Sequence, residues 1–230
     1  MKYIQFLLLI VLGGSPAFAG QIEKSLSEFD QVEFTGNYEV KMVKADSNYI
    51  VIINQDDKVT DDEIIVDIDN KTLKMSIKND IYIERDITVK LYYKDIDKIS
   101  ARRAAQVESD KLQADKIEVA ATTGGKIVVA VKCNHLDVSI KSGGSVRVNG
   151  GAKTAHYDVN AGGTIAAINV DVPVVEACIQ FGGEVILTAT ETLEVKIKAG
   201  GVVSYKGNPS IKSQSIKLGG KIENLDEKGK

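Results

Sequence analysis

Six glycine pairs recur along the second half of the chain, beginning at Gly124, Gly143, Gly162, Gly182, Gly200 and Gly219. Successive starts lie 19, 19, 20, 18 and 19 residues apart. A spacing this regular marks a repeat architecture, which constrains the fold more tightly than any local propensity. One step earlier, Ala104-Ala105 stands where a further pair would fall, so a degenerate unit opens the series.

The residues around each pair alternate. Three before the first glycine stand Ala121, Ile140, Val159, Ile179, Ile197 and Ile216; three after stand Ile127, Val146, Ile165, Val185, Val203 and Ile222. Even offsets are polar, with Thr122, Lys141, Asn160, Gln180, Lys198 and Lys217 two before each pair. Apolar residues at every second position are the signature of a half-buried strand. A unit of about 19 residues holds too little chain to bury its own apolar face, so units must stack. Stacking also satisfies the backbone, strand against strand. Six units at about 4.8 Å each make a rod on the order of 29 Å long. The expectation is an all-β chain, a right-handed parallel β-helix or solenoid with short rungs.

The pairs Gly124-Gly125, Gly143-Gly144, Gly162-Gly163, Gly182-Gly183, Gly200-Gly201 and Gly219-Gly220 then read as structural corners. Alternation passes through each pair in phase, which puts the second glycine where an inward side chain would be. A phosphate cradle would need a strand–loop–helix context, and no helical periodicity follows any pair.

Ahead of the repeats, the sequence divides in two. "MKYIQFLLLIVLGGSPAFA" (1–19) has one positive charge at Lys2, an apolar run and an Ala17-Phe18-Ala19 cleavage pattern, so it reads as a secretory signal. A spanning helix needs about 20 apolar residues, which this stretch does not supply. No cysteine follows the cut, where Gly20-Gln21 stand, so lipid attachment is not expected. Residues 20–100 carry short strand-like runs without the period, such as "VEFTGNYEVKMV" and "ITVKLYY". They are expected to pack on, or continue, the first rungs of the solenoid over 101–230, covering an otherwise raw strand edge. At the far end a charged tail with Asp226, Glu227, Lys228 and Lys230 would discourage end-to-end stacking.

The order of these segments resembles a known bacterial family. The mature chain opens "FDQVEFTGNYEVKMVKADSNYIVII", continues through "DNKTLKMSIK" and "ITVKLYYKDIDKISARRAAQVES", and closes on "YKGNPSIKSQSIKLGG". It is similar throughout to the putative auto-transporter adhesin, head GIN domain family. The resemblance implies an extracytoplasmic β-solenoid of a Gram-negative bacterium and carries no catalytic residues across. Family members often have a glycine at the first corner, where this chain has Ala104-Ala105, so the sharpness of that bend is in question.

Little chemistry stands out. The net charge of −3 is spread along the chain, without the basic stripe that nucleic-acid binding needs. Trp is absent and aromatics make up 6%, which removes the usual stacking platform for sugars or bases. Cys133 and Cys178 lie more than two rungs apart and out of phase, near or beyond the disulfide limit, so two free thiols are expected. Zinc binding by Cys133, His135, His156 and Cys178 would need four converging ligands, and neither C-x-x-C nor H-x-x-x-H spacing occurs. "DDKVTDDE" (Asp56 to Glu63) clusters carboxylates without the alternating spacing of a calcium loop, and reads as a solvated acidic loop.

One column merits weighing as an active site. Six before the pairs stand Glu118, Asp137, His156, Glu176 and Glu194, an outward ladder with neighbours about 4.8 Å apart. Retaining glycosidases hold two carboxyls about 5–5.5 Å apart. Any solenoid column supplies that spacing, however, and the lysine column four residues along is too distant to pair with it. The expected function is an exported, non-enzymatic binding or adhesion-type module, periplasmic or at the cell surface. Its partner is a protein or glycan, it takes no cofactor or metal, and its oligomeric state is left open. The alternative is a carbohydrate-active enzyme, a lyase or hydrolase, using the ladder; a purely structural envelope role is the third reading.

Overall fold

A computed structural model describes residues 21–78 and 85–227. The segment 1–19 expected to be a secretory signal, and the tail lysines Lys228 and Lys230, lie outside the described residues.

The chain is a β-solenoid of about seven turns. One rung shows the plan. Lys126–Lys141 is a single bent strand of 16 residues, with residues 126–133 on one face of the coil and 135–141 on the other. Each face pairs in parallel with the rung before and the rung after. Lys126 is opposite Ser145, Ser145 opposite Thr164, Thr164 opposite Glu184, and Glu184 opposite Val202. On the other face, Ile140, Val159, Ile179 and Ile197 stand in one unbroken register, each no more than 1% exposed. Upstream the same row continues through Ala121, Ala101 and Phe34 to Met75. Ile216 ends it, 46% exposed because no rung packs beyond it.

A repeat of 19 is odd and a strand alternates by two, so the pattern must slip once per turn. The slip falls at the corner opposite the glycines. Ile127, Val129 and Val131 point inward on one face, and Leu136, Val138 and Ile140 on the next. Between them Asn134 and His135 donate their backbone N–H groups to Asp115 O at 2.9 and 3.0 Å. Asn134 Nδ2 also donates to Asp115 Oδ1 at 2.5 Å. The one 20-residue unit absorbs its extra residue as a bulge: Arg147 is opposite Ala166, but Asn149 is opposite Asn169.

At the glycine corners the two positions differ. Gly162 has φ +64° with no atom within 4 Å of where a Cβ would stand, while a Cβ on Gly163 would sit 2.7 Å from Gly144 O. The later corners repeat this crowding against the second glycine of the rung before. A Cβ on Gly183, Gly201 or Gly220 would stand 2.9, 3.0 or 3.2 Å from the carbonyl oxygen of Gly163, Gly183 or Gly201 respectively. The second glycine of a pair is thus excluded from bearing a side chain by the rung beneath it, and the first chiefly by its backbone conformation. The first corner keeps the same left-handed path without glycine, with Arg103 at φ +50° and Ala104 at +67°. Ala104-Ala105 lies one rung below Gly124-Gly125, as the pairing of Gln106 with Lys126 requires. The bend thus matches that of the next corner, where Thr123 (φ +52°) and Gly124 (φ +80°) are left-handed, at the cost of non-glycine residues in that conformation; later corners carry both glycines at positive φ.

The N-terminal segment is threaded out of chain order. Strands Gln31–Thr35 and Glu39–Lys44 form a rung lying parallel beside Lys98–Arg102 and Gln106–Gln113. On its other side lie Thr72–Ile77 and Ile87–Tyr93, also parallel. Three antiparallel strands then end the coil: Ile64–Asp69 on one face, Tyr49–Asn54 and Gln21–Ser25 on the other. Reversing strand direction stops the parallel register from propagating and covers the edge. This end carries most of the bulkiest buried side chains, Tyr38, Tyr93, Phe34 and Met42, where the later rungs use mainly Val, Ile, Leu and Ala, with Tyr157 the exception. All of them join one continuous apolar core.

The acidic loop is solvated at Asp57, Asp61 and Asp62, as expected, but not at Asp56. Asp56 pairs with Arg85 at 3.6 Å, both side chains only 9% exposed. In the same loop Asn54 Nδ2 donates to Asp61 Oδ1 at 3.1 Å, and Glu63 accepts from Thr60 N and Oγ1 in a capping box. In the tail, Asp226 Oδ2 accepts the Gly207 N–H at 2.8 Å, tying the chain end to a corner.

Candidate functional site

The ladder forms as a straight column. Glu118 is opposite Asp137, Asp137 opposite His156, His156 opposite Glu176, and Glu176 opposite Glu194, all side by side on one outer face. Asp137, His156, Glu176 and Glu194 line a shallow groove of about 410 Å³. Strand alternation puts these side chains out because their neighbours, Val119, Val138, Tyr157, Ala177 and Val195, fill the core.

The lysine column four residues along leaves the ladder alone; Lys198 Nζ donates instead to Gln180 Oε1 at 3.3 Å. The carboxylates are nevertheless paired, by lysines that this column did not include. Lys116, two residues before Glu118 on the same face, reaches Glu118 Oε1 at 2.7 Å and Asp137 Oδ2 at 2.9 Å. Lys196, two after Glu194, reaches Glu194 Oε1 at 2.8 Å and Glu176 Oε1 at 3.0 Å. Lys98 meets Glu118 Oε2 at 3.2 Å, and His156 Nδ1 lies 3.5 Å from Glu176 Oε2. His135 Nδ1 shares a hydrogen bond with Thr154 Oγ1 at 2.9 Å. The signal was available in the sequence as Lys-x-Glu at 116–118 and Glu-x-Lys at 194–196. These are same-face neighbours on a strand, each one rung from a second carboxylate.

This geometry decides what the groove can do. Hydrogen bonds from Lys116 and Lys196 hold the Glu118 and Glu176 carboxyls below the usual range, against the opposing effect of burial. Bonds to Asp137 and then Glu118 raise Lys116, and bonds to Glu194 and then Glu176 raise Lys196. A glycosidase acid must move the other way, keeping its proton near neutrality. Clamped in this way, Glu118 and Glu176 are not poised to donate a proton near neutral pH.

A pH test follows from the sign of these shifts. A depressed carboxyl stabilises the fold above its unfolded value and loses that contribution as pH falls through its folded value. The Glu176 side-chain carbon should titrate by NMR below the ordinary value of about 4.3. Lys196→Met should move that midpoint upward, and a midpoint indifferent to the substitution would remove Lys196 as the cause.

The remaining candidates separate. Cys133, at the end of one face before the Asp115–Asn134 corner, and Cys178, outward on the ladder face, are both free. Each is half-buried, and burial pushes each thiol up to about 11. Thiols in that range are poor nucleophiles and poor metal ligands at neutral pH. Among the described residues no group of three or more His, Cys, Asp or Glu is placed to hold a metal ion. No helix among them is long and apolar enough to cross a membrane.

Solved structures share this architecture. A putative adhesin from Bacteroides fragilis NCTC 9343 superposes with a TM-score of 0.78 at 22% identity, covering 89% of this chain and 96% of that one. A putative adhesin from Parabacteroides merdae ATCC 43184 gives 0.66 at 21% identity, with 90% and 95% covered. A structure described as a putative lipid binding protein, from Parabacteroides distasonis ATCC 8503, gives 0.68 at 20%, with 89% and 96% covered. At these identities the likeness is one of fold. No curated protein matches the sequence. The family model, however, spans most of the solenoid and its cap: matched over residues 28–209, this chain belongs to the family described as putative auto-transporter adhesin, head GIN domain.

Proposed function

We propose that the chain is an exported, non-enzymatic binding module of the cell envelope, and that the ladder face is its contact surface for a protein or glycan. The observation that carries this reading is the clamping of Lys116 and Lys196, each between carboxylates of two successive rungs. A straight face of alternating fixed charges recognises a partner through many modest contacts, each worth little alone and much in register. Family membership supports the adhesion-type role.

The test is direct. Purified chain should be captured by a panel of envelope and host-matrix glycans and proteins, and the double charge reversal Lys116→Glu/Lys196→Glu should abolish capture while leaving the circular dichroism unchanged. Surface labelling of intact cells should reach the chain if it faces outward. Turnover of pectin, alginate or a host glycan, lost on Glu176→Ala or Glu194→Ala, would replace this reading with the enzymatic one.

A further inference from the structure

The second site lies on the other face, at the capped end. Antiparallel pairing sets Tyr49 directly opposite Tyr92, and their rings stack with centroids 4.1 Å apart and planes 8° from parallel. These residues are 43 positions apart (92 − 49), so their meeting is a product of the cap alone. Composition pointed to no aromatic platform; the fold builds one from two of the eight tyrosines.

The register shows which ring face is free. Ser25, Tyr49 and Tyr92 lie in one line across three strands. Tyr92 covers one face of the Tyr49 ring, so the other looks over Ser25, whose side chain is too small to fill the space. There the surface opens into a cleft of about 630 Å³ lined by both Ser25 and Tyr49. That size lies within the range of small-molecule sites. The cleft wall also carries Glu23, Glu28 and Lys94, whereas Lys24, in register with the inward Ile50, donates its Nζ to Val66 O at 3.4 Å.

Asn48 holds these walls together. Its Oδ1 accepts from Lys94 N at 2.9 Å, its Nδ2 donates to Ser27 O at 3.2 Å, and its carbonyl accepts the Leu26 N–H at 3.0 Å. The cleft is thus set before any ligand arrives, which lowers the ordering cost of binding.

We propose that this cleft binds a neutral pyranose residue of a glycan, stacked on the Tyr49 ring. A pyranose presents a flat C–H face to an aromatic ring and hydroxyls around its rim. Carboxylates at Glu23 and Glu28 accept from those hydroxyls, and the ammonium group of Lys94 donates to them. Tyr92 backs the platform and keeps it from turning. A uronate or a phosphorylated ligand would meet two carboxylates and no surplus of positive charge. The site is independent of the ladder face, and different substitutions test the two.

The chain contains no Trp and eight Tyr, so its fluorescence reports tyrosine directly. The mature chain is titrated with the methyl glycosides of glucose, galactose and mannose, while the amide resonances of Ser25 and Tyr49 are followed. Saturable quenching by at least one of them is expected with Kd of about 1 mM, together with shifts at both amides. Tyr49→Ala should weaken binding about tenfold and Tyr49→Phe should retain it, because the ring face and not the hydroxyl carries the contact. Ser25→Tyr, which fills the cleft and leaves the platform in place, should abolish it. Lys116→Glu/Lys196→Glu should leave it unchanged, so failure of the ladder reading would not touch this one. The proposal is overturned if none of the three sugars gives a saturable response, or if the response survives both Tyr49→Ala and Ser25→Tyr in folded protein.

Discussion

Gly163→Ala is expected to cost about 3 kcal/mol of stability, while Gly162→Ala, one residue away, costs about 1. A methyl group on Gly163 would lie 2.7 Å from the Gly144 carbonyl oxygen and 2.8 Å from Ile140 Cγ2, at φ +100°. The first of these is backbone of the rung below and cannot swing aside. Relief would need the corner to lift, and lifting it pulls Ile140 and Val159 out of contact. Gly162 faces open space at φ +64°, so its replacement strains only its own backbone. Ala104, at φ +67° in the first-glycine position of its own corner, shows that the chain already bears that smaller cost once. Guanidinium midpoints of the two variants give the comparison. Equal losses would mean that rung-on-rung contact at the corner contributes nothing.

Asp56→Ala is expected to destabilise the capped end by a similar amount, about 3 kcal/mol. The Arg85 guanidinium and Asp56 carboxylate are each only 9% exposed, at 3.6 Å. Removing the acid takes a counter-charge from the guanidinium where water cannot replace it. Asp56 Oδ1 also accepts the Lys58 N–H at 2.9 Å, so the loop loses its turn as well. The double variant Asp56→Ala/Arg85→Met should recover most of the loss, because an apolar side chain of similar volume needs no counter-charge. Additive losses in that cycle would show the pair to be uncoupled. Excess calcium ion should leave the thermal midpoint of the wild type unmoved, since Asp56, Asp61 and Glu63 are already engaged by Arg85, Asn54 and Thr60.

The ladder and the tyrosine cleft sit at opposite limits of what a linear sequence exposes. Glu118, Asp137, His156, Glu176 and Glu194 could be filed in a column from spacing alone, because parallel rungs repeat the same offset at every turn. Their lysine partners were harder to see. Lys116 and Lys196 belong to no repeated column, and each reaches a carboxylate one rung away as well as one on its own strand. The corner at Asp115 and Asn134 was hidden for a related reason: its residue types vary from rung to rung, and only the hydrogen bonds mark it.

What the amino-acid sequence determined by itself is the coil: its period, its inward rows, and its wet face. A repeated unit makes every contact between neighbours a local one in the repeat, so periodicity and burial are the same information. Tertiary structure alone decided the cap. There, strands 31–44 lie between 72–93 and 98–113, strands 49–54 and 64–69 run backwards, 21–25 turns back once more, and Tyr49 meets Tyr92. Those pairings join segments with no shared period. They are chosen by which apolar face must be covered and which strand edge must be closed, and both are properties of the assembled rod.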